Sequence, residues 1–180
     1  MKDLDALHIR PLQPADIKDI NKTNEPFTIF GKLVPSFIDG IWTYKEQLFE
    51  TSHNIQFPDD HLNWDAYINS DQKIVYLAYN DKACVGQIRI VKDWNKYGYI
   101  ENIAVCKAYR KSGIGEKLFK KAEEWAKTHN LLGLSLEAQD DNLAACRFYI
   151  KQGMTLGGVD TMKHHFNPHI EKALYWYKPF

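Results

Sequence analysis

The spacing of hydrophobic positions predicts a β-rich middle to the chain. Two short apolar runs, 74–79 and 84–91, flank a turn at Asn80-Asp81, and a third run covers residues 97–105. Apolar runs of this length bounded by turn residues are typical of strands. We predict three successive strands, of which the first two form a hairpin.

From Ile114 the spacing changes to that of an amphipathic helix. Hydrophobic residues recur three and four positions apart on one face, at Leu118, Phe119, Ala122, Trp125 and Ala126. Lys and Glu fill most of the intervening positions, which is typical of a helix with one buried face. We predict a long helix that ends at Gly133.

A second helix and further strands are predicted downstream. Asn142 has the chemistry of an N-cap, and Gly153 that of a C-terminal stop. Strands are predicted at 134–138, 155–161 and 173–177. The aromatic tail, 175–180, either packs on the sheet or closes a homodimer, and we favour the homodimer.

The N-terminal part of the chain gives weaker signals. Residues 8–10 indicate a strand, and a helix is expected to begin near Ala15. Residues 27–35 fit no clear period. We predict a helix over 41–51, from the spacing of Ile41, Tyr44 and Leu48, and a surface loop over 52–65.

This order of elements predicts the fold class. Strands and helices mix along the chain without an internal repeat or a linker. The length of 180 residues fits one domain. We predict a single α/β domain spanning residues 1–180.

Charge and composition exclude several partners. Lys and Arg number 23, as do Asp and Glu, so the formal net charge is zero. We expect no nucleic-acid partner, because that binding depends on excess positive charge. We expect no membrane partner either, because no apolar run approaches the roughly 20 residues of a spanning helix.

Compartment and metal content follow from similar observations. Residues 1–5 lack the charged-then-apolar pattern of a secretion signal, so we predict a cytoplasmic protein. Cys84, Cys106 and Cys146 are widely spaced and odd in number, which argues against both disulfides and a zinc site. We expect no metal.

A glycine-containing turn joins the third predicted strand to the long helix. The sequence from 110 to 115 reads Arg-x-x-Gly-x-Gly. The first amides of a helix lack intrahelical partners and favour anions, so a phosphate site is one interpretation. The alternative is that the glycines only allow a tight turn.

The order of motifs resolves this choice. The Arg-x-x-Gly-x-Gly turn is followed by a helix, a strand and Asn-x-x-Ala-x-x-Phe-Tyr-x-x-x-Gly-Met at residues 142–154. This order resembles the acetyl-coenzyme A binding core of the GNAT superfamily of N-acetyltransferases. The resemblance implies a central, mostly antiparallel twisted sheet, flanked by helices, whose splayed strands hold acetyl-CoA.

The resemblance also implies which residues bind acetyl-CoA as cosubstrate. The strand before the turn would pair with the pantetheine arm, the turn would hold the pyrophosphate, and the second helix would contribute polar side chains. The residues so implied are Ile103, Ala104, Val105, Arg110, Lys111, Ser112, Gly113, Ile114, Gly115, Asn142 and Tyr149.

Acetyl transfer to an amine needs proton transfers, and two residues are candidates. About one alkyl amine in a thousand is neutral at pH 7, so a base is required. Glu101 lies on an otherwise apolar strand and is our candidate, directly or through water; pairing with a neighbouring Lys or Arg is equally compatible. By resemblance, Tyr149 is the acid that protonates the leaving thiolate; a core aromatic is the alternative.

A longer match narrows the acceptor. Segments 24–27, 31–35, 97–107, 137–143, 159–162 and 171–177 are similar to those of streptothricin acetyltransferases. This implies transfer to the β-lysine amine of streptothricin, a cationic small molecule, which inactivates the antibiotic. Carboxylates and aromatic faces attract ammonium groups. The candidate wall residues are Trp42, Glu46, Asp59, Asp60, Trp64, Asp65 and Asp160.

Two alternatives stay open on the sequence alone. The chain is compatible with acetylation of another amine, such as a protein lysine or a polyamine, because this fold does not select the acceptor. It is also compatible with a sensor that binds an acyl-CoA without chemistry.

Overall fold

The structure is a computed structural model that describes residues 6–180. Residues 1–5, on which the prediction about a secretion signal rests, lie outside the described residues. The described chain divides into two compact units: residues 6–26 with Gln56–Leu134, and Phe27–Ile55 with Ser135–Phe180. We call them unit 1 and unit 2. The single domain over 1–180 stays a prediction.

Strands and α-helices have the following bounds: β1 Leu7–Pro11, β2 Phe27–Ile38, β3 Ile41–Ile55, β4 Lys73–Asn80, β5 Ala83–Lys92, β6 Gly98–Val105, α1 Ile114–Thr128, β7 Gly133–Gln139, α2 Leu143–Lys151, β8 Thr155–Asp160 and β9 Ala173–Pro179. Short 3-10 helices cover Pro14–Thr23, Trp64–Tyr67 and Lys107–Tyr109.

Unit 1 is built on four antiparallel strands in the order β1, β4, β5, β6. The three strands predicted from the apolar runs are confirmed as β4, β5 and β6, although the hairpin turn lies at 81–82, one residue later than predicted. Helix α1 packs on β5 at Gly86, where an added Cβ would lie 3.0 Å from a methyl group of Leu118. Glycine at this position lets helix and strand approach closely without displacing the Leu118 side chain.

Helix α1 buries the face that the sequence predicts. Leu118, Phe119 and Ala122 are all at most 1% exposed. The predicted end at Gly133 is wrong, because the helix stops at Thr128 and Asn130 has a positive φ of 54°. Asn tolerates this left-handed conformation, so the chain turns there and Gly133 begins β7.

A hairpin of unit 2 contradicts two sequence predictions. Residues 41–51 belong to strand β3, not to a helix, and the predicted loop over 52–65 begins only after Ile55. Asp39 and Gly40 have φ values of 51° and 80°, so the chain reverses tightly and β3 pairs with β2 along its length. Positive φ at both central residues is the signature of a type I′ hairpin turn, and it overrides the apolar spacing.

The rest of unit 2 contains β7, β9 and β8, in that order in the sheet, and helix α2. The helix ends as predicted at Gly153, whose φ is 79°. The amide of Gly153 donates to Ile150 at 2.9 Å and that of Met154 to Tyr149 at 3.1 Å, which is a Schellman motif. The aromatic tail packs into this unit, since Trp176 on β9 is fully buried.

No helix among residues 6–180 is both long and apolar enough to cross a membrane.

Candidate active site

The predicted phosphate turn leads into the N-terminus of α1. Gly113 is the N-cap with φ 88°, Lys111 has φ 63°, and the Ser112 hydroxyl donates to the carbonyl of Tyr109. An added Cβ at Gly113 would meet no atom within 4 Å, so the turn is open in front of this residue. An open turn at the start of a 15-residue helix fits an anion such as a phosphate group.

Arg110, which the resemblance implies as an acetyl-CoA residue, is held by the backbone. Its guanidinium donates to three backbone carbonyls: Val105 at 2.9 Å, Pro26 at 2.9 Å and Glu25 at 3.4 Å. The fork geometry of the guanidinium ties the end of β6 to the segment before β2. Lys111 is exposed, and its ammonium group has no hydrogen bond or ion pair among the described residues.

Sequence reasoning missed Glu25. Its carboxylate accepts a hydrogen bond from the backbone amide of Lys107, just after β6. Together with Arg110, this contact fixes both ends of the short 3-10 helix that precedes the turn. A carboxylate so far away in sequence gives no local signal of such a contact.

The strand residues predicted for pantetheine lie at the end of β6. Ile103, Ala104 and Val105 are each half-buried and face Ile88, Gln87 and Gly86 of β5. The carbonyl of Val105 already accepts from Arg110, and a carbonyl retains a second lone pair.

Glu101 lies on the same strand and makes two contacts through one oxygen. Its Oε2 accepts from the Nε of Arg89 at 3.0 Å and from the hydroxyl of Tyr67 at 2.6 Å. Burial, followed by the hydrogen bond to Glu101, raises the pKa of Tyr67, so the phenol keeps its proton and is the donor. The pairing with an Arg, one of our two alternatives, is therefore present.

Arg89 joins Glu101 to two of the predicted wall residues. The side chain is on β5 and only 5% exposed, and its Nη1 donates to Oδ2 of Asp60 at 2.9 Å. Its guanidinium carbon lies 5.5 Å from the centre of the Trp64 ring. Unit 1 therefore brings Glu101, Asp60 and Trp64 together around one buried cation.

Neither Arg89 nor Tyr67 was predicted from the sequence. Both are far in sequence from Glu101, and an Arg within a strand normally indicates a solvated position. The only available signal is the alternation in β5, which places Arg89 between two buried isoleucines on the opposite face.

The other two wall residues of unit 1 lie at the surface. Asp59 accepts a hydrogen bond from Asn24 at 2.7 Å. Asp65 is exposed in the first turn of its 3-10 helix. Neither contacts Arg89, so the structure does not join them to Glu101.

Unit 2 contains the two predicted residues of α2. The side chain of Asn142 accepts from the amide of Ala145 at 3.2 Å, which confirms the N-cap. Tyr149 is buried at 9% exposure, with its ring 5.7 Å from that of Phe148 in an edge-on arrangement. The core-aromatic alternative for Tyr149 thus has support, and its role as an acid stays a prediction.

Glu46 forms an ion pair on the surface of unit 2. Both of its carboxylate oxygens accept from Arg147 of α2, at 2.8 Å and 2.6 Å. This bidentate hydrogen bond lowers the pKa of Glu46. A cationic ligand at Glu46 would have to compete with Arg147.

The remaining wall candidates of unit 2 lie apart from each other. Trp42 packs on Phe37, with ring centres 4.9 Å apart, and lines a shallow groove with Met154. Asp160 accepts from the backbone amides of Met162 at 2.7 Å and Lys163 at 3.0 Å, so it stabilises the turn after β8.

No group of three or more His, Cys, Asp or Glu side chains in residues 6–180 has an arrangement that could hold a metal ion. Cys84, Cys106 and Cys146 form no disulfide with one another.

Comparison with known proteins identifies the family. The model of the acetyltransferase (GNAT) family matches residues 38–154. The chain therefore belongs to the GNAT family of acetyltransferases. Its mixed α/β fold with mostly antiparallel strands confirms the predicted fold class.

Two proteins with similar sequences are streptothricin acetyltransferases. The chain is 44% identical to streptothricin acetyltransferase A of Bacillus subtilis (strain 168) over 166 residues, 92% of this chain and 95% of the relative. It is 38% identical to streptothricin acetyltransferase of Escherichia coli over 117 residues, 62% of this chain and 67% of the relative.

A solved structure shares the fold over nearly the full length. It is a crystal structure of a candidate streptothricin acetyltransferase from Bacillus anthracis str. Ames in complex with acetyl coenzyme A. The TM-score is 0.89 at 34% identity, over 97% of this chain and 99% of that one.

Proposed function

We propose that the protein transfers the acetyl group of acetyl-CoA to the β-lysine amine of streptothricin and thereby inactivates this antibiotic. The observation that carries the proposal is the 44% identity to streptothricin acetyltransferase A over 92% of the chain. Acetyl-CoA is a metabolite of the cytoplasm, and we propose that the protein acts there, on a cationic small molecule.

Residues of unit 1 fit the phosphates of acetyl-CoA. The open turn at Gly113, followed by the first amides of α1, presents hydrogen-bond donors and the positive end of the helix dipole. Lys111 has no ion pair among the described residues and is available to a phosphate. Arg110 would support the turn from behind rather than contact the ligand. When bound, acetyl-CoA supplies the acetyl group as a thioester.

Glu101 is proposed as the base. The β-lysine amine is an ammonium ion at neutral pH and must lose one proton before its nitrogen can form the new C–N bond. Glu101 takes this proton, directly or through one water, and later releases it to solvent. Its side chain is 27% exposed, so both the ammonium group and water can reach it.

Tyr149 is proposed as the acid. As the C–S bond breaks, the phenol gives its proton to the departing sulfur, which leaves as a thiol. The nitrogen loses its second proton as the amide forms, and this proton restores the phenol. The similarity of 142–154 to the family motif supports this role.

The wall for the cationic acceptor is proposed to include Asp60 and Trp64, which lie beside Arg89. Asp60 is partly exposed, and the Trp64 ring already stacks with a guanidinium. Asp59 and Asp65 add surface carboxylates from the same segment. We assign Trp42, Glu46 and Asp160 to the wall only as proposals, since each already has a contact within unit 2.

The test is release of free thiol from acetyl-CoA in the presence of single amines. The panel consists of streptothricin, an aminoglycoside, spermidine and a lysine peptide. Turnover with streptothricin and with none of the others is the expected result. Turnover with another amine alone would reassign the substrate. Binding of acetyl-CoA without turnover on any amine would favour a sensor.

Tyr149→Phe provides the internal control. In an acetyltransferase this variant should lower kcat while acetyl-CoA still binds, because only the transferable proton is removed. In a sensor, acetyl-CoA binding is the whole function, and the variant should change little.

A further inference from the structure

We propose that Arg89 and Tyr67 are positioning residues that make Oε1 of Glu101 the oxygen that takes the proton from the acceptor ammonium. The proposal rests on the proposed acetyltransferase function and goes beyond it, because it assigns roles to two residues outside the family motifs. It is carried by contacts within unit 1.

The two oxygens of Glu101 differ in their surroundings. Oε2 accepts from Arg89 at 3.0 Å and from Tyr67 at 2.6 Å. Oε1 has no hydrogen-bond partner among the described residues. A carboxylate oxygen with two donors has its lone pairs committed, so a proton arriving from outside goes to the other oxygen.

Both donors keep their protons, so the two hydrogen bonds to Oε2 of Glu101 keep their direction. An Arg guanidinium stays protonated at any physiological pH. The pKa of Tyr67 is raised by burial and by the hydrogen bond to Glu101. Oε2 therefore always accepts from these two residues.

Arg89 also fixes the distance between Glu101 and Asp60. Its Nε binds one carboxylate and its Nη1 the other, so a single rigid guanidinium spans both. Oδ1 of Asp60 has no hydrogen-bond partner among the described residues. Arg89 is thus buried, at 5% exposure. The side chains of Glu101 and Asp60 are partly exposed, at 27% and 39%.

The charges of this cluster favour a cation on its open side. One guanidinium is shared by two carboxylates, which leaves a formal charge of −1 on these three side chains, and Arg89 is the charged side chain that pairs with Glu101 within residues 6–180. The groups that contact Glu101 or its partner Arg89 are Arg89 itself from β5, Tyr67 from its 3-10 helix and Asp60 from the preceding loop. Lys73 of β4 lies on the Tyr67 ring, with its Nζ 4.5 Å from the ring centre. An ammonium group docked by Asp60 would donate one proton to Oε1, and Glu101 would then release it to solvent.

The chain offers a matched pair of variants. Tyr67→Phe removes the hydroxyl that donates to Glu101 at 2.6 Å. Tyr79→Phe removes a hydroxyl that donates to Asp19 at 2.9 Å, away from Glu101. Both tyrosines are 5% exposed in the same hydrophobic cluster, so the two variants should destabilise the fold to a similar extent.

The readout is the pH profile of kcat/KM for streptothricin. Tyr67→Phe removes one of the two donors to Oε2, so the acid limb of its profile should move to higher pH than that of the wild-type protein. The Tyr79→Phe profile should keep the acid limb of the wild-type protein. Equal profiles for both variants and the wild-type protein would overturn the proposal.

Arg89→Lys tests the second donor and guards against a Tyr67→Phe variant that does not fold. A lysine keeps the charge but reaches one carboxylate rather than two, so kcat/KM should fall about tenfold or more. In a Glu101→Gln background, Arg89→Lys and Tyr67→Phe should have no further effect on kcat. Independent, additive losses in that background would mean a general structural role and would reject the proposal.

The experiments distinguish failure of the substrate assignment from failure of the positioning roles of Arg89 and Tyr67. If the wild-type protein acetylates another amine of the panel instead of streptothricin, the substrate assignment fails and the pH profiles are measured with that amine. If turnover occurs but the acid limb is the same in all variants, only the positioning roles fail. Absence of turnover with every amine would reject both.

Discussion

Two buried carboxylates precede α2, and neither forms an ion pair in the described chain. Asp140 and Asp141 are 1% and 7% exposed, and one oxygen of each has no hydrogen-bond partner. Burial is the main cause that raises the pKa of both side chains. Ionisation at neutral pH therefore reduces the stability of unit 2.

Asp141→Asn tests this reasoning. Because the pKa of Asp141 is raised by burial and then by the charge of Asp140, its contribution to stability is greatest at low pH and is lost as pH rises through the folded-state pKa. His53 and His169 oppose this shift only weakly. At pH 8 we expect the variant to have a free energy of unfolding about 1 kcal/mol higher than that of the wild-type protein, and therefore a higher melting temperature. Near pH 5 the difference in free energy should be smaller. A variant that is less stable at pH 8 would contradict the prediction.

At the residue scale, the sequence identified side chains but not their partners. Glu101 was predicted as a functional residue because a carboxylate is unusual in an apolar strand. In the structure, Arg89 and Tyr67 stabilise this carboxylate by donating hydrogen bonds to it. Partners 12 and 34 residues away leave no local pattern. The backbone contacts of Arg110 were not predicted for the same reason, because its acceptors at Pro26 and Glu25 are far away in sequence.

At the scale of elements, the turn before α1 depends on one glycine in the left-handed region. Gly113 has φ 88° with open space beyond it, and Gly40 in the β2–β3 turn has φ 80° with equally open space. The two glycines are therefore matched in strain and differ only in location.

Gly113→Ala and Gly40→Ala form a pair of variants for the phosphate turn. Each should lose about 1 kcal/mol of unfolding free energy, because alanine is disfavoured at positive φ. Only Gly113→Ala should raise the KM for acetyl-CoA, since its methyl group would project into the open turn. Equal KM values in both variants would show that the phosphates do not approach Gly113.

Arg110 and Lys111 are adjacent cations, and we expect the first to stabilise the fold and the second to bind acetyl-CoA. Arg110→Lys should lower the unfolding free energy by about 1 to 2 kcal/mol, because lysine cannot reach three carbonyls at once. Lys111→Ala should leave the melting temperature unchanged and raise the KM for acetyl-CoA by about threefold. Thermal unfolding and steady-state kinetics on both variants separate these effects, and a reversed pattern would exchange the two roles.

The accuracy of the predicted elements follows the strength of local signals. Strands β4 to β6 were predicted because they contain mostly apolar runs between turn residues, and helix α1 because burial of one face imposes a regular period. Strand β3 was assigned to a helix because most of it is exposed on both faces, so no period of two is imposed on its sequence. Asp39-Gly40 was the signal for the hairpin, and such a turn deserves more weight than three apolar residues at helical spacing.

At the scale of the whole molecule, attraction of a polycation must be local. The formal net charge is zero, so the protein as a whole does not steer cations by long-range attraction. The predicted homodimer stays a prediction, and light scattering at several protein concentrations would test it. Its outcome does not alter the contacts of Glu101, which all lie within unit 1.

Salt dependence tests whether this local charge binds the acceptor. Between about 50 mM and about 300 mM salt, screening should raise the KM for streptothricin by about two- to threefold. Kinetics should be measured at saturating acetyl-CoA, because its phosphates are also screened. Asp60→Asn should raise the KM at low salt and flatten its dependence on salt, since this carboxylate is proposed to dock the ammonium group. Asp71→Asn, at an exposed turn before β4, is the control and should keep the wild-type slope. If Asp60→Asn and Asp71→Asn have the same slope, Asp60 does not contact the acceptor and the wall of the site must be sought among the other carboxylates.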